Sequence, residues 1–206
     1  MTDKPVNVGG PDDSTSTTWL DRVRSGEPGA WESFANLYAP LIYHWCQRCG
    51  LQAADAADIG QDVFRAVLAA IGSFRRQGSG SFRGWLRVIT RNKVRDLLRE
   101  RQKVPGAGGG NDQHLVQIAV DSDPGSDDTP DPEEERILYC RALELVLADH
   151  REETREVFMR VVVDRQDPSA VAADLGLSIN AVYLIKSRVL RRLRDEFREL
   201  LDPGSG

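Results

Sequence analysis

Residues 104–132, VPGAGGGNDQHLVQIAVDSDPGSDDTPDP, constrain this chain's fold more than any other stretch. They are rich in Gly, Asp, Ser and Pro, and only LVQIAV interrupts the polarity. Such a segment buries too little apolar surface to offset the entropy of ordering it, so a flexible acidic linker is expected. The linker divides the 206 residues into two small units, at 16–103 and 133–201, with a disordered N-terminus at 1–15 and a tail at 202–206. No internal repeat is present.

Both units read as helical. Trp31, Phe34, Tyr38, Leu41, Ile42 and Trp45 recur at spacings of three and four and mark one face of a helix from about 30 to 49. Pro28 stands near its start and Gly50 at its end, and a shorter helix is expected before it around TWLDRVR. A second helix, Asp55 to Ile71, buries Ile59, Val63, Val67 and Ile71. GSFRRQGSGSF is a loop, and two further helices follow in FRGWLRVITRNKVRDLLRER, with Trp85, Leu86, Ile89, Val94, Leu97 and Leu98 inward. In the second unit DPEEERILYCRALELVLAD opens with acids, where the helix macrodipole favours them. EETREVFMRVVVD, PSAVAADLG and SINAVYLIKSRVLRRLRDEFRELL are further helices, the last with Ser178 as N-cap. No stretch alternates with a period of two, so the fold class is all-α.

The last two helices have a specific spacing. Gly176 follows Ala172 by four residues, and Val182 and Ile185 lie six and nine beyond the glycine. Two helices that cross steeply need a small residue at the crossing, a glycine where the turn demands positive φ, and apolar plugs on the second helix. Val171, Leu175 and Leu177 complete that core, and a helix-turn-helix is expected. Val182, Ile185, Val189 and Leu193 then point inward, and Asn180, Tyr183, Leu184, Ser187 and Arg188 face outward at the groove-entering end. Residues 178–194 hold five basic groups and no acid, and Arg191, Arg192 and Arg194 are placed to meet phosphates.

Charge is segregated along the chain. Residues 30–103 hold twelve basic and six acidic groups, whereas residues 104–135 hold no basic and nine acidic ones. A basic block suggests a polyanionic partner. Within it, Phe74, Phe82 and Trp85 are interleaved with ten basic groups between 72 and 103, a composition suited to single-stranded nucleic acid. Aromatics at helical spacing are more often core, which is the plainer reading of Phe82 and Trp85.

These stretches resemble one family. GSFRRQGSGSFRGWLRVITRNKVRDLLRER resembles the promoter-melting and recognition segment of bacterial RNA polymerase sigma factors of the extracytoplasmic-function group, in the sigma-70 family. DAADIGQDVFRAV resembles that group's polymerase-docking helix, and SAVAADLGLSINAVYLIKSRVLRRLR its fourth region. The KSRVLRRLR ending, after Tyr183 and Leu184, is most similar to planctomycete-type variants. The resemblance implies sigma region 2-like and region 4-like domains and a role in promoter recognition and transcription initiation. It implies docking on core RNA polymerase through Asp58, Gln61 and Asp62, with Phe64 as support. It places minus-ten promoter DNA against Phe82, Trp85, Arg87, Arg91, Asn92 and Lys93, with a helix break at 91–93 that captures an extruded base. It places minus-thirty-five duplex against Asn180, Tyr183, Leu184, Ser187, Arg188 and Arg191. Many members carry Arg or Lys at the positions of Tyr183 and Leu184, so fewer charge-assisted contacts to guanine are available here. The acidic linker would thread towards the polymerase's RNA path. An anti-sigma factor is a further candidate partner.

A stand-alone helix-turn-helix regulator is the alternative, and it would bind duplex DNA tightly without polymerase. An enzyme is disfavoured. GAGGG lies in the linker and no Lys-Ser/Thr follows it, and His44, His114 and His150 are scattered. No cofactor is expected. At 40% hydrophobic, with no run near the roughly 18 apolar residues of a membrane span, the chain is not expected to insert in a membrane. The N-terminal residues lack the order of a secretory signal, so a cytoplasmic location is expected.

YHWCQRCG, at 43–50, holds a Cys-x-x-Cys beside a histidine. On a regular helix Cys49 falls at the centre of the apolar face and Cys46 about 60° away, while His44 points about 160° from Cys46. The pair is therefore expected to be structural, with no metal bound.

Overall fold

The computed structural model describes residues 19–74, 82–103 and 131–201. The expected N-terminal tail, the linker up to residue 130, the C-terminal tail and Arg75 and Arg76 of the basic loop lie outside the described residues. All regular structure among the described residues is helical. No single described helix is long and apolar enough to cross a membrane.

Helix α1, Trp19–Arg24, leads into α2, Ala30–Arg48, which opens at Gly29 with φ +79°. Helix α2 runs through Pro40, an interior position that normally weakens a helix because the N–H owed to residue i−4 is missing. That carbonyl belongs to Asn36, and the Arg141 Nε–H donates to it at 2.8 Å from a helix over a hundred residues later. Helix α3, Ala53–Ala70, buries the stripe Ala56, Ile59, Val63 and Val67, and Ile71 follows it into the core.

Helix α4 is one continuous element, Phe82–Lys103, where two helices with a break at 91–93 were expected. Its buried row is Leu86, Thr90, Val94 and Leu98, each four residues on from the last. Thr90 interrupts the apolar periodicity but not the helix. Its hydroxyl donates to the Leu86 carbonyl at 2.9 Å, so a polar side chain is satisfied in the core without leaving helical geometry. Arg91-Asn92-Lys93 contains no glycine or proline to stop the helix.

Helix α5, Pro132–Ala148, is capped by Asp131, whose carboxylate accepts from the Glu133 N–H at 3.0 Å, with Pro132 in the first turn where no N–H is needed. Helix α6, Glu152–Phe158, passes into a π-turn at Met159–Val163. The chain then reverses through Arg165, at φ +56°, into α7, Pro168–Leu175. Helix α8, Ile179–Leu201, is kinked at Phe197, where φ is −122°.

The helices on either side of the linker share a core. One cluster of buried side chains takes in Phe34, Val63, Leu86 and Val94 from the first set and Leu138, Val146, Val189 and Phe197 from the second. Helix α2 lies against α3 and α4 and also against α5. That double cover corrects the reading of the two cysteines. Cys46 is fully buried with Leu37, Leu41 and Ile42, a wider belt than the stripe visible in the sequence, while Cys49 is half-buried. Cys49 is the C-cap residue, beyond the last helical turn, so a 100° step no longer locates it. Burial pushes the Cys46 thiol up to about 12, and the neighbouring Cys49 adds to the shift.

Candidate nucleic-acid interface

The C-terminal pair, α7 and α8, is built from its turn outward. Asp167 opens α7 by accepting from the Ser169 and Ala170 N–H groups, each at 3.1 Å. Gly176 closes it at φ +65°, a conformation in which a Cβ would be strained although nothing lies in its way. Ser178 Oγ then accepts from the Ala181 N–H at 3.1 Å and starts α8, as its position in the sequence suggests. The two helix axes are bent by 110° across this turn. Val171, Ala172 and Val182 meet Val157 and Val161 in a small second core, with Leu175, Leu177 and Ile185 packed on its edge.

With Val182 and Val189 buried, the other face of α8 is open. Asn180, Tyr183, Leu184, Ser187, Arg188 and Arg191 are all exposed. Tyr183 and Leu184 are 51% and 55% exposed and adjoin on the open face of this helix. Arg192, expected to meet phosphate, is engaged by two acids. It donates to Glu196 at 2.6 Å and to Asp149 at 2.5 Å, and these bonds raise its guanidinium above the ordinary arginine range.

The basic helix α4 combines exposure with packing. Phe82 lies 5.8 Å from the Phe34 ring, 5.5 Å from Tyr38, 5.3 Å from Phe74 and 5.3 Å from Trp85. Phe82 and Trp85 are therefore half-buried members of an aromatic cluster. Such a cluster fixes the start of α4 on α2. Arg91, Asn92 and Lys93 are each half-exposed and occupy successive positions of one helix, so they point in three directions rather than into one pocket. The Asn92 Oδ1 accepts from Arg95 at 2.5 Å. Arg101 bridges to Asp55 at the start of α3.

Arg87 is tied to a helix from beyond the linker. It bridges to Glu134, in the first turn of α5, and lies 5.5 Å over the Trp45 ring. Glu134 is only 2% exposed, and its Oε1 also accepts from Trp45 Nε1 at 2.9 Å. Removing one partner of a buried charge pair typically costs about 3–5 kcal/mol. Arg48 and Asp131 form a second, exposed bridge beside it. The acidic run at 133–135 hides which acid is buried, because all three suit a helix N-terminus equally. A hint lies in Glu134 being three residues after the cap, where an acid normally turns back on its own helix.

Helix α3 exposes Asp58 and Gln61, and Asp62 partly, all on one face. Arg65, one turn on, donates to Asp62 at 2.5 Å. Phe64 faces the other way and meets Phe34 edge-on at 5.9 Å and Trp31 at 6.2 Å, which ties α3 to α2. Phe64 is thus packed on α2 and is not part of the exposed face. Among the described residues no group of His, Cys, Asp and Glu is arranged to hold a metal ion.

The profile of sigma-70 region 2 matches residues 34–104, from the second turn of α2 through α4. The RNA polymerase sigma factor CnrH of Cupriavidus metallidurans is 31% identical over 187 residues, which is 89% of this chain and 93% of that protein. This chain belongs to the extracytoplasmic-function sigma factors of the sigma-70 family. The ECF RNA polymerase sigma factor ShbA of Streptomyces griseus is 29% identical over 195 residues, 89% of this sigma factor and 96% of its own length. The probable RNA polymerase sigma factor RfaY of Xanthomonas campestris is 32% identical over 149 residues, and there the match spans 36% of the relative's length. Against the family the all-α architecture is as expected, and the protein is a sigma factor that directs transcription initiation.

Proposed function

We propose that this sigma factor binds core RNA polymerase and positions two promoter elements without covalent chemistry of its own. The observation that carries the reading is the face of α8, where six residues from Asn180 to Arg191 are exposed while Val182 and Val189 anchor the helix. A helix held by its back and capped at its N-terminus suits the major groove of the minus-thirty-five element. Tyr183 and Leu184 favour apolar contact, as with a thymine methyl, over the bidentate reading of guanine that Arg provides. This surface is that of the planctomycete-type variants within the group.

The minus-ten element is assigned to α4. Arg91, Asn92 and Lys93 lie on an unbroken helix, so the reading is modified: the bases come to the helix surface, and Asn92, able to donate and accept, reads an edge there. Phe82 and Trp85 act chiefly by holding α4 on the aromatic cluster. The acidic face of α3, Asp58, Gln61 and Asp62, is assigned to core polymerase. The sigma factor works in the cytoplasm on this reading, and an anti-sigma factor is a candidate third partner.

The test is a gel shift on promoter DNA with and without core polymerase. Specific binding is expected only with the core enzyme present. Nanomolar, sequence-specific binding by the protein alone would support a stand-alone regulator instead. Charge reversal at Asp62 should weaken holoenzyme assembly and leave the circular dichroism spectrum unchanged; unaltered assembly by a double variant at Gln61 and Asp62 removes the docking assignment.

A further inference from the structure

We infer that Arg95 is a positioning residue for base selection: it holds the Asn92 amide with its NH2 group free, and so turns the minus-ten reader towards a base oxygen and away from adenine. The inference deepens the proposed role of Asn92 and rests on it. Arg95 follows Asn92 by three residues, so the two share a face of α4. Its guanidinium donates to Asn92 Oδ1 at 2.5 Å. A guanidinium carries five N–H donors and no acceptor, so the end of the amide that meets it must be the carbonyl. Turning the amide over would set its NH2 group against a cation. A bond from a charged donor is roughly twice as strong as a neutral one, which keeps the group from turning. Arg95 is itself half-buried, and its Nε is buried with no hydrogen-bond partner among the described residues. An unpaired buried nitrogen is a cost to the fold and calls for a reason beyond packing.

The orientation decides what the amide can read. A free asparagine pairs bidentately with adenine, accepting from the N6 amino group and donating to N7. With Oδ1 engaged by Arg95, that pairing loses its acceptor, and Nδ2 meets the adenine amino group donor to donor. Adenine is also the one base without a carbonyl oxygen. Thymine, guanine and cytosine each carry one that can accept from a free NH2 group. Arg95 therefore converts a side chain suited to adenine into a reader of carbonyl oxygens. It does so without touching the base.

The experiment is transcription in vitro by holoenzyme reconstituted from the full chain and core polymerase. The template is a promoter library randomised across both elements and barcoded in the transcript, so that sequencing reports base preference at every minus-ten position. Wild type should disfavour adenine about tenfold at one position, towards the low end of what a well-placed contact to a base edge discriminates. Arg95→Met keeps the stem and removes the donors; adenine at that position should rise about tenfold relative to the other bases, and the other positions should keep their profile. Arg95→Lys retains a cationic donor and should restore the wild-type profile. A loss spread evenly over all templates overturns the inference, because it marks a phosphate contact or a purely structural side chain. An unchanged profile overturns it as well. Should Arg95→Met lose its helical circular dichroism, Asn92→Asp carries the test. One carboxylate oxygen keeps the bond to Arg95 and the other meets the base as an acceptor, so preference should turn to the amino-bearing bases, adenine and cytosine; no such turn overturns the inference. Asn92→Ala separates the two layers of the argument. If it alters no position, Asn92 reads no base, and the proposed role falls together with this inference. If it alters one position and Arg95→Met does not, Asn92 stands as a reader and the role of Arg95 is overturned.

Discussion

Pro40 and Arg141 should be energetically coupled although they sit on different helices and a hundred residues apart. Pro40 has no N–H to give to the Asn36 carbonyl, and the Arg141 Nε–H donates there at 2.8 Å. Arg141→Met keeps most of the stem's packing but removes the donor, leaving a carbonyl without its bond inside α2. An unmade bond of this kind costs about 1–3 kcal/mol when the group is buried. Arg141 is one-third exposed, so water recovers part of that loss, and the lower end, about 1 kcal/mol, is the expected figure. Its second bridge, to the 63%-exposed Glu144, adds little, on the order of a few tenths of a kcal/mol. Pro40→Ala restores an N–H four residues after Asn36. The carbonyl then has an intrahelical donor, and Arg141→Met should become nearly free in that background. Urea denaturation of wild type, both single variants and the double variant yields the coupling directly. A coupling of about 1 kcal/mol is expected, with Pro40→Ala itself stabilising because alanine suits a helix interior. Strict additivity would refute the claim that Arg141 replaces the missing proline N–H.

Four other outcomes follow from the geometry. Cys46 should alkylate far more slowly than the exposed Cys140 in native protein near pH 7.5, since a thiol pushed up to about 12 has almost no thiolate there; peptide mass spectrometry reads the order, and equal rates would contradict the buried placement. Asp167→Ala should lower the melting temperature, because Asp167 caps α7 and its carboxyl is held below its ordinary range, first by the Ser169 hydroxyl and then by the Ala170 N–H. Because the folded value is depressed, that contribution is complete above the unfolded carboxyl pKa of about 3.9 and disappears as pH falls through the folded value, so the two melting curves should converge in acid. Thr90→Val should be within about 1 kcal/mol of neutral, because the Leu86 carbonyl keeps its backbone donor and only a side-chain bond is exchanged for apolar burial; strong destabilisation in denaturant would mean the hydroxyl does more than fill the row. Asn92→Ala should leave the melting temperature unchanged or raised, since alanine favours the unbroken α4, yet reduce transcription from minus-ten variants selectively; equal transcription from every variant would argue against a reading role.

What could be read from the sequence depended on whether a residue's surroundings lie nearby in the chain. Ile59, Val63 and Val67 repeat at four with nothing interrupting them, and α3 buries that row. Ser178 and Gly176 act on their own turn, so cap and positive φ were both visible in the spacing. The outward residues of α8 followed from the inward ones, because a helix with Val182 and Val189 on one side has only one other side to offer. Where a polar residue takes a core place, periodicity alone fails: Thr90 bonds to its own helix and fills the core row between Leu86 and Val94. Where the partner comes from beyond the linker, no local pattern helps. Glu134 resembles its two acidic neighbours in sequence, and only α2 and α4 distinguish it, through Trp45 and Arg87. The same contact explains why an arginine read as a ligand for DNA is already engaged in the free chain. A basic and an acidic stretch of one chain attract each other at the high effective concentration that their connection imposes. Among the described residues the opposed charges of residues 30–103 and 104–135 meet at Arg48–Asp131 and Arg87–Glu134.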